Sequence, residues 1–309
     1  MNIKTLEDLL NLKYYKRMKL VVVACHDKEV LKAIIECEKI GLIEPILIGD
    51  LELTKQIAEK LNISVDSFEM INELDLEKSA ELGVRLVSTG QADFIMKGLI
   101  DTSILLKAVL NKEWGLRTNS LLSHVMVYDI PNYTKLLYLT DGGMNINPSI
   151  EDKIKIIENA GIVARALGND IINVAILAAK EKVDINMIAT IHGQELKSRC
   201  LKGQFSDGLI IDGPMALDIA ISKEAAEIKK YISPVAGNAD VLLVANIEMG
   251  NGIGKSITYF ANGKSAGIIM GAKVPIVLVS RADDHITKLY SIALGAVISA
   301  GLMQDNTKL

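Results

Sequence analysis

The 309-residue chain is half hydrophobic and 23% charged, with a formal net charge of −4. That composition excludes a disordered chain, the length fits two domains of roughly 150 residues each, and the lack of any long block of like charge speaks against nucleic acid as a partner. Three cysteines, Cys25, Cys37 and Cys200, lack the spacing of a disulfide framework or a zinc site, which fits a reducing, cytoplasmic setting.

Taken in chain order, short runs of Val, Ile and Leu alternate with stretches of helical period, the pattern of parallel sheets covered by helices. "KLVVVAC" (19–25), "EPILIGD" (44–50), "SFEMINE" (67–73) and "ADFIMKG" (92–98) read as buried strands. Between them, apolar residues spaced by three and four predict helices, and glycine closes the first and third. In "SHVMVYDIPNYTKLLYLTD" two apolar runs flank "DIPNY", so two strands are expected to meet through a turn, and the domain junction is placed here. Beyond it the expected order is helix 149–168, strand 173–178, a helix through the 190s, strand 207–214 and helix 215–229. Strand 239–247, a helix near 255–263, strand 273–280 and a final helix from about 286 complete it. The apolar run 291–303 is shorter than a helix needs to cross a bilayer of about 30 Å. No cleavable leader is read at the N-terminus, so a soluble protein with no membrane partner is expected.

In sheets of this kind ligands gather beyond the carboxyl ends of the strands, where helix N-termini offer free amides to anions. Four polar clusters fall at such ends: "MKGLIDTS", "DGPMALD", "ANIEMGNGIGKS" and "SRADD". The stretch "MGNGIGKS" (249–256) misses the nucleotide-loop spacing by one residue and also misses G-x-G-x-x-G. It reads either as small residues that let amides approach an anion or as a flexible turn. In "VSRADD" (279–284), Arg281 can fork two hydrogen bonds onto a phosphate or a developing oxyanion, and Ser280 can donate another. Asp283 or Asp284 serves as a base or as a helix N-cap. Lys97 and Gly98 stand at a strand end before Asp101, Thr102 and Ser103, an arrangement favourable to an anion, although capping alone accounts for the last three. His124 reads as a core histidine, and His285 as either a titrating group or a surface residue.

These pieces, in their order and spacing, resemble the phosphate butyryltransferases within the wider phosphotransacetylase family, across nearly the whole chain. The resemblance lies in "EPILIGD", "ADFIMKGL", "VLNKEWGLRT" with "LSHV", "LTD" before "KIKII", "DGPMALDIAIS", "AGNADVLL" with "NIEMGN", and "SRAD" before "SIAL". It implies two α/β domains with mostly parallel sheets and an active site in the interdomain cleft, similar to isocitrate and isopropylmalate dehydrogenases. One domain would comprise residues 1–133 plus about 285–309, the other 134–284. The implied reaction is reversible: acyl-CoA plus phosphate gives acyl phosphate plus CoA, with butyryl or a related short acyl group. Small-molecule substrates, no tightly bound cofactor, no metal and a homo-oligomer are implied as well.

By position, the resemblance makes Ser280 a hydrogen-bond donor and Arg281 a transition-state stabiliser, with Asp283 as base because Thr287 stands where an aspartate is usual. It implies phosphate or CoA contacts at Lys97, Gly98, Thr102, Ser103, Lys107, Ser123, Asp141, Glu248, Gly250 and Asn251. Lys107 replaces an arginine, keeping the charge without the fork. Gly142 and Gly143 stand where larger residues are common, which implies a wider acyl pocket. Residues 182–196 lack the usual proline and aspartate, leaving that segment without an assigned role. Two rival readings are a catalytically silent CoA or acyl-phosphate binder and a metal- and nicotinamide-dependent decarboxylating dehydrogenase, for which "ADD" is a small carboxylate cluster.

Overall fold

The structure, a computed structural model, describes residues 3–12, 16–280 and 283–306. After a 3-10 turn (Glu7–Asn11) come β1 (Met18–Val23), α1 (Lys28–Lys39), β2 (Ile43–Gly49), α2 (Leu51–Lys60), β3 (Glu69–Asn72), α3 (Leu76–Ser88), β4 (Phe94–Lys97) and α4 (Thr102–Val109). Asp27, Asp50 and Asp75 start α1, α2 and α3 by accepting first-turn amides on their carboxylates, the N-cap bond that ends the strand-to-helix turn. Next follow β5 (Ser123–Asp129), β6 (Leu137–Thr140), α5 (Ile150–Ala166), β7 (Ile172–Leu177), α6 (Ile188–Leu201), β8 (Leu209–Met215), α7 (Leu217–Ile221) and α8 (Lys223–Ile228). The chain continues through β9 (Val241–Leu243), α9 (Ile247–Phe260), β10 (Lys264–Met270), β11 (Ile276–Val277) and α10 (His285–Asn306).

The chain divides into two compact units. A terminal unit takes Leu6–Ser120 and Ala266–Leu309, and a central unit takes Leu121–Ser265 with Met1–Thr5. In the terminal unit the strand order is β3-β2-β1-β4-β11-β10. It is parallel except for β10 against β11. In the central unit the order is β5-β6-β9-β7-β8, parallel except for the β5–β6 hairpin. The boundaries expected at 133/134 and about 284/285 therefore fall at 120/121 and 265/266. The reason is pairing: β5 is bonded to β6, and β11 to β4.

Several elements differ from expectation. The helix placed near 255–263 begins at Ile247, so the whole of "MGNGIGKS" is helical. Strand 273–280 shrinks to Ile276–Val277, and β10 appears where no strand was read. Helix 215–229 is broken at Ser222, which ends α7 and caps α8 through the Ala225 amide. The run 291–303 belongs to a helix that, over His285–Met303, is long and apolar enough to cross a membrane, yet 67% of that window is buried within the protein. Packing of α10 on α1, β4 and β11 accounts for its composition.

Candidate active site

In the terminal unit, β1, β4 and β11 are adjacent and parallel, with Val21 opposite Ile95 and Ile95 opposite Ile276. Their carboxyl ends therefore carry His26, Lys97 with Gly98, and Val279 with Ser280 along one edge. Gly98 sits so close to the end of β1 that a Cβ would lie 2.2 Å from the Ala24 carbonyl oxygen, and its amide donates to Val23 O at 2.8 Å. Lys97 is 6% exposed, not a solvated surface lysine. Its ammonium donates to Gly98 O at 3.2 Å and Ile100 O at 2.9 Å, holding the loop into α4. Thr102 and Ser103 are the first two residues of α4, where amides lack partners within the helix.

Ser280 is exposed, and its amide donates to Asp283 Oδ2 at 2.8 Å, while the Asp283 amide donates to Ser280 O at 3.1 Å. Through the bond from the Ser280 amide, the Asp283 carboxylate fixes the backbone of Ser280. Arg281 lies outside the described residues. Lys288, buried on α10, donates its ammonium to Asp283 O, a contact with no counterpart in the sequence reading. Asp284 caps α10 through the Thr287 amide at 2.9 Å. Partial burial works against its ionisation, but the bonds from Thr287 and the charges of His285 and Lys288 hold its pKa below the usual carboxylate range. His285 faces Glu29 at 3.4 Å and Glu36 at 3.9 Å on α1. Lys107 is largely exposed and pairs with Glu77 at 3.4 Å. It borders a cavity of about 150 Å³ that Asn111 and Trp114 also line.

In the central unit β6 and β9 run parallel, and β5 runs antiparallel to β6. The carboxyl ends of β6 and β9 thus share an edge with the start of β5, which gathers Asp141, the start of α9 and Ser123. Asp141 is 2% exposed. Its Oδ1 accepts the amides of Gly143 and Met144, both at 2.9 Å. Its Oδ2 accepts the His124 amide at 3.2 Å and Asn145 Nδ2 at 2.6 Å. The carboxylate is the hub of the loop between β6 and α5. Ser123 is fully buried, and its hydroxyl accepts from Asn159 Nδ2 at 2.8 Å.

The α9 helix begins at the Asn246 cap, whose side chain accepts the Met249 amide at 3.0 Å. The Gly250 amide is spent on Asn246 O at 3.2 Å, so "MGNGIGKS" is not an open cradle of amides. The missing side chain serves packing: a Cβ on Gly250 would lie 2.6 Å from Gly142 Cα, and one on Gly142 would lie 2.9 Å from the Gly250 carbonyl carbon. A Cβ on Gly143 would meet His124 Nδ1 at 2.7 Å. The paired glycines therefore let the loop close on α9 and β5, rather than leaving room for an acyl group. Glu248 and Asn251 are exposed in the first turns of α9.

The described residues of the two units carry every candidate position except Arg281. The model of the family described as phosphate acetyl/butaryl transferase matches residues 75–296. The chain belongs to that family. It is 42% identical over 298 residues to the phosphate butyryltransferase of Clostridium acetobutylicum, covering 96% of this chain and 99% of that one. It is 40% identical over 294 residues to the phosphate acetyltransferase of Thermotoga maritima, covering 95% and 99%. Among solved structures, a branched-chain phosphotransacylase from Enterococcus faecalis superposes with a TM-score of 0.80 at 32% identity, covering 91% of this chain and 99% of that one. Among the described residues no group of three or more His, Cys, Asp and Glu could hold a metal ion.

Asn145, Asn159, Lys153, His192 and Lys288 went unnoticed in the sequence. For Lys153 a signal existed. It falls in phase with the apolar stripe of α5, before Ile156, Ile157 and Ala160, all buried as it is, and a lysine on a core face is a polar group that must find a partner.

Proposed function

We propose that this chain transfers a short acyl group reversibly between coenzyme A and inorganic phosphate, with butyryl as the leading candidate. Membership of the family over almost the full chain carries this reading. The convergence of Ser280 and Lys97 with Gly98 at neighbouring strand ends supports it.

In the forward direction an oxygen of hydrogen phosphate attacks the thioester carbonyl, a tetrahedral oxyanion forms, the carbon–sulfur bond breaks, and the proton lost by the phosphate ends on the leaving thiolate of CoA. The oxyanion calls for fixed donors. The Ser280 hydroxyl and the Arg281 guanidinium take that role, with Asp283 holding the Ser280 backbone rather than acting as the base. First-turn amides at Thr102 and Ser103, the ammonium of Lys107 and the polar groups of Glu248 and Asn251 meet the phosphate and CoA portions. Binding both substrates together removes the entropic cost of their encounter. The CoA thioester enters as substrate, and the protein works as a homo-oligomer.

The test is release of free thiol from acetyl-, butyryl- and branched acyl-CoA, followed with a disulfide reagent with and without phosphate. Phosphate-dependent release, fastest with butyryl-CoA, is the expected result. Binding of CoA with no thiol release from any acyl chain would identify a binding protein instead. Arg281→Ala should lower kcat by about 10²–10³, the scale for loss of one oxyanion donor, and unchanged turnover would remove Arg281 from this role.

A further inference from the structure

The segment 182–196, left without a role by the family resemblance, contains the half-buried partner of a buried lysine in the central unit. Lys153, in the opening turns of α5, is 2% exposed. Its ammonium lies 3.0 Å from Nδ1 of His192 in α6. An ammonium has only donors, so Nδ1 must accept, and the imidazole proton resides on Nε2. Two cationic groups at this distance repel, the more so with the lysine buried and the histidine half-buried, so the pair holds one charge comfortably and two at a cost.

Among the described residues, the carboxylates of the neighbouring elements are held by other partners. Glu151 and Glu195 are taken by Arg199 at 2.7 and 2.9 Å, Asp152 by the Ser149 cap, and Asp212 on β8 by Lys197 at 2.7 Å. Glu158 is bonded to Ser206. Strands β6, β7 and β9 carry no charged residue. β5 brings His124, whose amide binds Asp141, and Asp129 at the opposite terminus from Ser123. The remaining charges of α5, Lys155 and Arg165, are cations.

The pair has a position of consequence. α5 is the direct continuation of the loop that Asp141 organises. That loop closes on α9 through the Gly142–Gly250 contact and through the Ile247 amide, which donates to Ile146 O at 3.0 Å. We infer that Lys153 and His192 form a positioning pair that clamps the start of α5 to α6, closed while His192 is neutral and released when it is protonated. Release slackens the loop that seats the first turns of α9, including Glu248 and Asn251.

The expected pH dependence follows in sign from burial. Burial lowers the pKa of His192, and the Lys153 charge lowers it further, so the folded protein favours neutral imidazole. The stability held by this group is present above the ordinary imidazole value and is lost as pH falls through that value toward the lowered one. Burial also pushes Lys153 down to about 8. Its charge therefore opposes folding below that value and does so progressively less between about 8 and its ordinary value.

The experiment is a proton NMR titration of the four histidines of the full chain, with the His192 resonance identified by its disappearance in His192→Gln. His192 should titrate below the ordinary histidine range and shift upward in Lys153→Met. An ordinary midpoint in the wild type would overturn the inference even if Lys153→Met failed to fold, and so would a midpoint that Lys153→Met leaves in place. Glutamine can accept from Lys153 without being protonated, so His192→Gln should melt with less dependence on pH between about 5 and 7 than the wild type. It should also keep its neutral-pH rate of thiol release and retain a larger share of that rate at acid pH. Identical melting and rate profiles in the two proteins would count against the pair. Only this last rate measurement rests on the acyl-transfer reading. Absence of turnover with the titration as expected would sink that reading and leave the pair standing.

Discussion

A carboxylate that accepts four hydrogen bonds while 2% exposed has little capacity left for a substrate, and Asp141 is in that state. Its value to the protein is the geometry it imposes on residues 142–145. Asp141→Asn would turn an amide nitrogen toward two of the four donors whichever way the side chain is flipped. Because hydrogen bonds to a charged group contribute roughly 1.5–3 kcal/mol each, a loss of at least that size is expected, read as a lower urea midpoint with an unchanged m-value. Full stability combined with a raised KM for acyl-CoA would show instead that Asp141 contacts substrate. Residue by residue, the sequence was readable where chemistry is local and mute where it depends on topology. Asp284 could be read as a helix N-cap because capping is local, whereas Lys153 and His192, 39 positions apart, meet only because α5 and α6 pack side by side.

At the level of elements, the alternation of apolar runs with helical period was enough to locate β1, β2, β4, β7 and β8, because strands buried on both faces are rich in apolar residues, Val, Ile and Leu above all. It failed at α9 for a physical reason. Glycine has poor intrinsic helix propensity, so "MGNGIGKS" looked like a loop, but two of its glycines are buried contacts: Gly250 against Gly142, and Gly254 beneath the Tyr128 hydroxyl, which a Cβ would approach to 2.5 Å. Packing outweighs propensity there. The third glycine supplies the control, since a Cβ on Gly252 meets nothing within 4 Å. Gly252→Ala should therefore stabilise the protein by about 0.5–1 kcal/mol by removing backbone freedom from the unfolded chain. Gly250→Ala must push α9 away from the β6–α5 loop and should destabilise by about 1–3 kcal/mol, the usual range for overpacking. Thermal unfolding of both variants decides the matter, and equal stabilisation by the two would mean that the Gly142–Gly250 contact is looser than the structure shows.

For the molecule as a whole, the consequence lies in how the chain is partitioned. The central unit is almost one continuous segment and owns its core: Tyr128, Leu137 and Leu139 from the hairpin pack with Leu177, Met215, Val235 and Leu242. The terminal unit is assembled from both ends of the chain. Its last segment supplies β11 beside β4 and α10 over α1, with Phe94 pressed so close to α10 that a Cβ on Gly295 would come within 2.8 Å of the ring. A polar tie completes the return, Tyr290 donating to Glu7 at 2.7 Å. Without residues 266–309, the side of β4 that β11 pairs with would present unpaired amides and carbonyls, a ready template for aggregation. The unit would lose the burial of Leu289, Ile292, Leu294 and Val297, each worth about 1.5–3 kcal/mol. A fragment of residues 121–265 is accordingly expected to express in soluble form and unfold cooperatively on heating, while residues 6–120 alone should aggregate or show no cooperative transition. Co-expression of 6–120 with 266–309 should recover a soluble complex if pairing of the two segments is what completes the unit. Cooperative folding of 6–120 by itself would show that its core closes without α10, and the return of the chain would then be an addition to that unit rather than a condition of it.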